Sequence, residues 1–174
     1  LIADCKSGVT GAGRGLSLTT HFCEVNEGFR AYKVASHRHT PEMEQELSLV
    51  AGRPIRLVFT PHLVPMSRGI LATIYSQPKA GVTPAQIANA YQDFYRQEPF
   101  IRLCPADLLP NTAAVRGSNF CDLAWRLDQR TGRLITITAI DNLTRGASGQ
   151  AIHNMNLMLG LPETQGLEAA PLWP

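Results

Sequence analysis

At 174 residues, with 44% hydrophobic side chains, the chain is long enough to bury one sizeable core without covalent staples. Its 16 basic and 14 acidic residues are scattered, giving a formal charge of +2 and no run of like charge, so nucleic acid and membrane surfaces are poorly matched partners. No window approaches the about 18 consecutive apolar residues of a membrane span, and no basic-then-apolar leader is present, so a cytoplasmic protein is expected. Cys5, Cys23, Cys104 and Cys121 form no C-x-x-C pair and are too few to staple a domain of this size. Buried free thiols and no metal site are expected.

Leu1 to Cys5 reads as the middle of a strand, so a piece of a longer protein is expected. After Lys6, the glycines at 8, 11, 13 and 15 break regular structure and leave a loop of unpaired amides, with Ser7, Thr10 and Arg14, suited to an anionic group. The spacing lacks the remaining glycine of a dinucleotide fingerprint, and no helix follows at the required distance. Phe29 to Ala35 alternates like a half-exposed strand leading into Ser36-His37-Arg38-His39-Thr40-Pro41-Glu42. Thr40 is a good N-cap and Pro41 suits a first helical position, so a helix is expected to start there, with Met43, Leu47 and Val50 as its apolar stripe and Gly52 as its stop. His37, Arg38, His39 and Glu42 then sit beside the unpaired amides and positive dipole of a helix start. From spacing alone, two histidines beside a cap read either as solvated loop residues or as groups for chemistry.

Ile55 to Thr60 is a β-rich run broken by Pro61, and Ile70 to Ser76 is a second. Thr83-Pro84 repeats the cap-then-proline device before Ile87, Tyr91, Phe94 and Tyr95, an amphipathic helix whose aromatic stripe belongs to a core. Phe100 to Cys104 reads as a strand. Cys121 to Leu127 and Leu134 to Ile140 alternate on either side of Gln129-Arg130-Thr131-Gly132, the strongest hairpin signal in the chain. From Arg145 the longest helix is expected, presenting Ala147, Ala151, Met155, Met158 and Leu159 on one face and ending at Gly160, with a loosely held tail from Glu163 to Pro174. Residues 1–174 thus predict a single α+β domain: a mixed, largely antiparallel sheet with helices on one face.

Several stretches together carry a resemblance. His37-Arg38-His39-Thr40-Pro41-Glu42, Ser7 to Arg14, Ser67 to Thr73, Gly117-Ser118-Asn119, Ala139 to Leu143, Gly146 to Gln150 and Gly160 to Glu163 follow in order along nearly the whole chain. This pattern resembles the second half of the N-acetyl-gamma-glutamyl-phosphate reductases, the catalytic and dimerisation domain of an enzyme built like glyceraldehyde-3-phosphate dehydrogenase. The resemblance implies NADPH-dependent reduction of an acyl phosphate to a semialdehyde in arginine biosynthesis, through a cysteine thioester. It makes His37 the acid–base group. His39 and Glu42 orient it or bind substrate; Ser7, Gly8 and Arg14 line the substrate pocket; Asn142 reaches the nicotinamide carboxamide, though local sequence reads equally as a helix cap. Arg68 and His62 are weaker candidates for phosphate contacts.

Two parts of the family pattern are missing. No Gly-Cys-Tyr-Pro-Thr motif supplies the nucleophile, Cys5 has no matching context, and the glycine-rich NADP domain is absent. This chain alone is therefore expected to be inactive, to dimerise through its sheet, and to present its last helix to the cofactor domain. A non-catalytic oligomerisation module derived from the family, or a semialdehyde dehydrogenase acting on aspartyl phosphate or carrier-bound amino acids, are the alternatives.

Overall fold

The alternating run from Cys121 forms the expected hairpin in the computed structural model, which describes residues 1–172: β6 (Cys121–Asp128) and β7 (Arg133–Ile140) pair antiparallel along their whole length. Asp128 ties the turn by accepting from the Arg130 amide at 3.0 Å and the Thr131 hydroxyl at 2.8 Å, and Gly132 takes a φ of 66° that a side chain would resist. The five other strands are β1 (Ile2–Gly8), β2 (Arg30–Ala31), β3 (Val58–Val64), β4 (Ile70–Ser76) and β5 (Ile101–Leu103). All seven form one sheet in the order β2-β3-β1-β4-β7-β6-β5. The β1–β3 and β5–β6 ladders are parallel and the remaining ladders antiparallel, so the sheet is mixed and largely antiparallel as the pattern implies.

Four helices join these strands: α1 (Phe22–Val25), α2 (Thr40–Ala51), α3 (Pro84–Tyr95) and α4 (Gly149–Leu159). The start of α3 is a full capping box, with Gln86 N–H donating to Thr83 Oγ1 and Thr83 N–H donating to Gln86 Oε1. Its Ile87 is buried, Tyr91 stacks on Trp125, and the Tyr91 hydroxyl meets Thr136 Oγ1 at 2.7 Å, which fixes α3 to the sheet face carrying Trp125 and Thr136. Strand registers put Ala3, Cys5, Ser7, Phe59, Pro61, Ala72 and Thr138 on that same face. Asp4, Lys6, Thr60, His62, Leu71 and Ile137 point from the other. There Arg102 pairs with Asp122 at 2.6 Å and donates to the Ala114 carbonyl, holding residues 112–115 close.

Several sequence expectations need correction. β1 runs past Cys5 to Gly8, because Asp4 and Lys6 fall on alternate positions facing away from the helices and pair there at 3.0 Å. The strand expected over Phe29 to Ala35 shrinks to Arg30–Ala31, and the proline expected to break β3 lies inside it. These two facts have one cause. Tyr32 N–H donates to the Pro61 carbonyl, but Pro61 has no N–H to return, so the β2 ladder stops, and Lys33 and Ala35 then turn with φ of 45° and 56°. Thr40 is the first residue of α2 rather than its cap; His39 stands before it and caps with no side-chain bond.

The apolar stripes also differ from expectation. On α2, Met43 is half-buried but Leu47 and Val50 are exposed, Val50 at 78%. On α4, the buried positions are Gly149, His153 and Asn156, while Ile152, Met155, Leu157, Met158 and Leu159 face outward, Met158 at 85%. The polar pair is buried because it is satisfied: His153 bridges Glu163 at 2.5 Å and Arg145 at 3.1 Å, and Asn156 donates to the carbonyls of Glu163 and Gln165. These bonds tether the chain after α4, whose Gly160 C-cap has a φ of 64°. The expected loose tail is thus held as far as Leu172, whose N–H donates to the Arg116 carbonyl; Trp173 and Pro174 lie outside the described residues. Tyr91→Phe removes the hydroxyl pairing with Thr136 and is expected to lower stability by about 1 kcal/mol, read as a lower urea midpoint at constant m.

Candidate active site

Neighbouring strands β1, β4 and β7 bring three chain segments to one edge of the sheet. β1 ends in the glycine loop, β4 begins after the turn Met66–Gly69, and β7 ends at Asp141-Asn142. The turn is the mount. Gly8 N–H donates to the Gly69 carbonyl at 2.8 Å, Val9 N–H to Met66 O at 3.0 Å, and the Thr10 hydroxyl to Ser67 O at 2.5 Å. Gly69 has a φ of 115°, and a Cβ there would lie 2.7 Å from Thr112 Cβ, so no other residue fits.

Asn142 closes the arrangement. Gly69 N–H points at its side chain at 2.7 Å; an amide hydrogen can only donate, so the atom receiving it is the oxygen, Oδ1. Nδ2 consequently faces Thr10 Oγ1, to which it donates at 2.9 Å, and retains one further hydrogen beside Gly11. The amide cannot flip without setting two N–H groups against each other. Asn142 therefore offers any ligand at the glycine loop a donor, never an acceptor.

The residue before it has no solvent exposure at all. Asp141 Oδ2 accepts from Gly117 N–H at 2.7 Å, and Oδ1 accepts from the amides of Leu143 and Thr144 at 2.8 and 3.0 Å and from Arg68 Nη2 at 3.1 Å. Arg68 Nε lies 2.9 Å from Oδ2, but off line for a second hydrogen bond. Burial pushes the Asp141 carboxyl up, and the Gly117, Thr144 and Leu143 amides with the Arg68 charge outweigh it, holding the group below its ordinary value. Beyond Asp141 the chain takes a wide π-helical turn, Thr144–Ser148, where Gly146 and Ser148 donate five residues back to Asp141 and Leu143.

The imidazole segment forms a second cluster on the same sheet face. The His37 ring meets Phe59, Tyr32 and His39 edge-on, with centroids 5.1, 5.7 and 5.1 Å away. His39 N–H donates to His37 Nδ1 at 3.3 Å, so a neutral His37 carries its proton on Nε2. Burial, then the neighbouring His39, Lys33 and Arg38 charges, lower its pKa. His39 and Glu42 are exposed. Phe59 is level with Ala3 and Leu63 with Ser7, four residues along the strand, or about 13 Å at 3.3 Å per residue. Ser7, Gly8 and Asn142 thus converge, while His37, His39 and Glu42 stand together farther along that face, with Cys5 and Tyr32 between the two groups by register.

The remaining candidates separate from both clusters. Arg14 is exposed and makes no hydrogen bond or ion pair among the described residues. His62 points from the opposite face, stacked on Phe29 at 5.2 Å and 3.1 Å from Asp4, and Arg68 is committed to Asp141. Burial and then the Asp4 charge raise the Cys5 thiol to about 11, so it is protonated at neutral pH and is no ready nucleophile. Among the described residues, no group of histidines, cysteines and carboxylates is placed to hold a metal ion, and no helix is long and apolar enough to cross a membrane. Asp141 and Gly69 received no role in the sequence reading, and Thr10 only a place in the anion-suited glycine loop. The available signal was Asp-Asn directly after a strand, a pair prone to bond nearby amides.

The family model described as the semialdehyde dehydrogenase dimerisation domain matches residues 1–142. The chain belongs to that family. Curated relatives include proteins named N-acetyl-gamma-glutamyl-phosphate reductase from Syntrophobacter fumaroxidans, 66% identical over 174 residues, and from Citrifermentans bemidjiense, 62% identical over 175. Each comparison covers all of this chain and 50% or 51% of the relative, so the chain spans about half the length of the curated relatives it matches. Among solved structures, a probable aspartate-semialdehyde dehydrogenase from Pseudomonas aeruginosa shares the fold with a TM-score of 0.69 and 14% identity, over 91% of this chain and 55% of that one. An aspartate semialdehyde dehydrogenase II from Vibrio cholerae gives 0.66 and 16% over the same shares. As a semialdehyde dehydrogenase dimerisation domain, the chain is expected to depend on Asp141 for stability. Asp141→Asn turns an amide group toward N–H donors and should cost about 3 kcal/mol. Because the folded pKa is depressed, the stabilisation is complete above the ordinary value of 3.8 and is lost as pH falls through the folded value, so the variant should also show a shallower acid limb in Tm against pH.

Proposed function

We propose that residues 1–174 are the catalytic and dimerisation half of a reductase that converts N-acetyl-gamma-glutamyl phosphate to the corresponding semialdehyde with NADPH. The 66% identity along the whole chain to a protein carrying that name supports this reading most directly. The amide of Asn142 supports it independently. A nicotinamide carboxamide presents a carbonyl oxygen, and Asn142, locked by Gly69 and Thr10, keeps one N–H for such an acceptor. The bound nicotinamide would supply the hydride; most of its site and the nucleophilic cysteine would lie on other parts of a longer polypeptide.

His37 is the imidazole that faces the developing oxyanion in this scheme. Thiolate attack on the acyl phosphate forms a C–S bond and expels phosphate, and hydride addition to the resulting thioester places negative charge on its oxygen. The Nε2–H of neutral His37 hydrogen-bonds that oxygen and stabilises its charge until the C=O bond re-forms, the C–S bond breaks, and aldehyde and thiolate are released. A lowered pKa suits this role, since the imidazolium would set an Nδ1 proton against the His39 amide. His39 and Glu42, exposed beside it, would orient substrate, and Ser7 and Gly8 would border the pocket from the glycine loop, with exposed Arg14 following in the same loop. The clusters stand about 13 Å apart along the strand, and the cysteine and acyl chain would reach across Cys5 and Tyr32 between them.

The assembly follows from the same reading. The outward apolar row of α4, Ile152, Met155, Met158 and Leu159, would cover itself against the cofactor domain, and the sheet face bearing Asp4, Lys6 and Leu71 would pair two copies in a cytoplasmic homodimer. In the full-length polypeptide, His37→Asn is expected to lower kcat about 10²–10⁴-fold while leaving NADPH affinity intact, by steady-state kinetics and fluorescence titration. Wild-type turnover in that variant would remove His37 from the chemistry. Asn142→Asp keeps the acceptor for Gly69 but replaces the donor by an anion; the KM for NADPH should rise about tenfold or more.

A further inference from the structure

The resemblance made Arg68 a candidate phosphate ligand, yet its guanidinium is turned inward. We propose that Arg68 is a positioning residue that sets the donor direction of Asn142, acting through Asp141 and the Met66–Gly69 turn, and contacts no substrate itself. The inference rests on the cofactor reading above. Arg68 sits between the two turn residues that hold the site: Ser67 O takes the Thr10 hydroxyl and Gly69 N–H orients Asn142 Oδ1. Its own side chain spans to the carboxylate of Asp141, the residue covalently joined to Asn142, with Nη2 at 3.1 Å and Nε at 2.9 Å.

A closed circuit results. From Asn142 it passes through Gly69 to the turn, through Ser67 to Thr10, and from Thr10 back to Asn142 Nδ2. The Arg68–Asp141 pair braces this circuit across its middle. Removing the guanidinium leaves the three backbone amides on Asp141, so the fold retains most of its anchor at the end of β7. What is lost is the restraint between the turn and residue 141, and with it the angle at which the remaining Asn142 N–H is presented. Arg68 supplies the charge that, with these amides, holds the Asp141 carboxyl below its ordinary value.

The test uses the full-length polypeptide and two ligands, NADPH and 2′-phospho-ADP-ribose, which lacks the nicotinamide. Arg68→Ala is expected to weaken NADPH about tenfold, the scale of one misdirected hydrogen bond, and to leave 2′-phospho-ADP-ribose and inorganic phosphate binding unchanged. In an Asn142→Ala background the same substitution should cost NADPH nothing further, because the residue it aims is gone. Equal weakening of both nucleotides, a loss confined to inorganic phosphate, or full additivity with Asn142→Ala would each overturn the proposal. If Arg68→Ala does not fold, Arg68→Lys keeps a charge on Asp141 without the two-nitrogen span and carries the same comparison with a smaller shift. A wild-type polypeptide that binds no NADPH overturns the cofactor reading and this role with it, whereas normal NADPH binding unaffected by Arg68 substitution overturns this role alone.

Discussion

A single carboxylate with no access to water organises the end of the sheet where the chain's polar groups converge. Taking an anion out of solvent costs several kcal/mol unless donors surround it, and Asp141 is surrounded by three amides and a guanidinium drawn from separate parts of the chain. Those donors come from the segment before β6, the turn after β7 and the turn before β4. Because each donor lowers the cost of the buried charge, their relative positions are coupled. Asn142 inherits its place from that requirement, and the glycine loop inherits its place from Asn142 through Thr10.

How much of this could be read from the residues depended on the range of the physics involved. Local rules sufficed for α3, where Thr83, Pro84 and Gln86 specify a start on their own, for β4, which matches its run from Ile70 to Ser76, and for the hairpin around Gly132. They failed where a partner decides the outcome. Pro61 looked like a break and is a strand residue, because its missing N–H falls on the short β2 side and its carbonyl is still used. The apolar row of α4 faces outward, and no periodicity showed that the helix buries His153 and Asn156, which Glu163, Arg145 and the chain after Gly160 satisfy.

The site shows the same division. Ser7, Gly8 and Asn142 meet at one edge, and no spacing rule could tell how far along the sheet His37 would stand from them. That distance is set by the parallel register of β3 on β1, a pairing between residues more than fifty positions apart. Arg68 is the sharper lesson. An arginine beside a glycine turn suggests an anion to bind, and here the anion is part of the same chain.

The position of β1 has a consequence for how the molecule is made. It lies inside the sheet, yet its partners β3 and β4 begin at Val58 and Ile70, so the first strand has nothing to pair with until that stretch exists. Closing so long a segment before any ladder bond forms is entropically unfavourable, and parallel pairing offers no tight hairpin to start from. The β6–β7 hairpin, local and complete in itself, is the natural nucleus. Acquisition of structure would then spread from the hairpin to β4 and reach β1 late, leaving the backbone N–H and C=O groups of that strand open until β3 and β4 arrive.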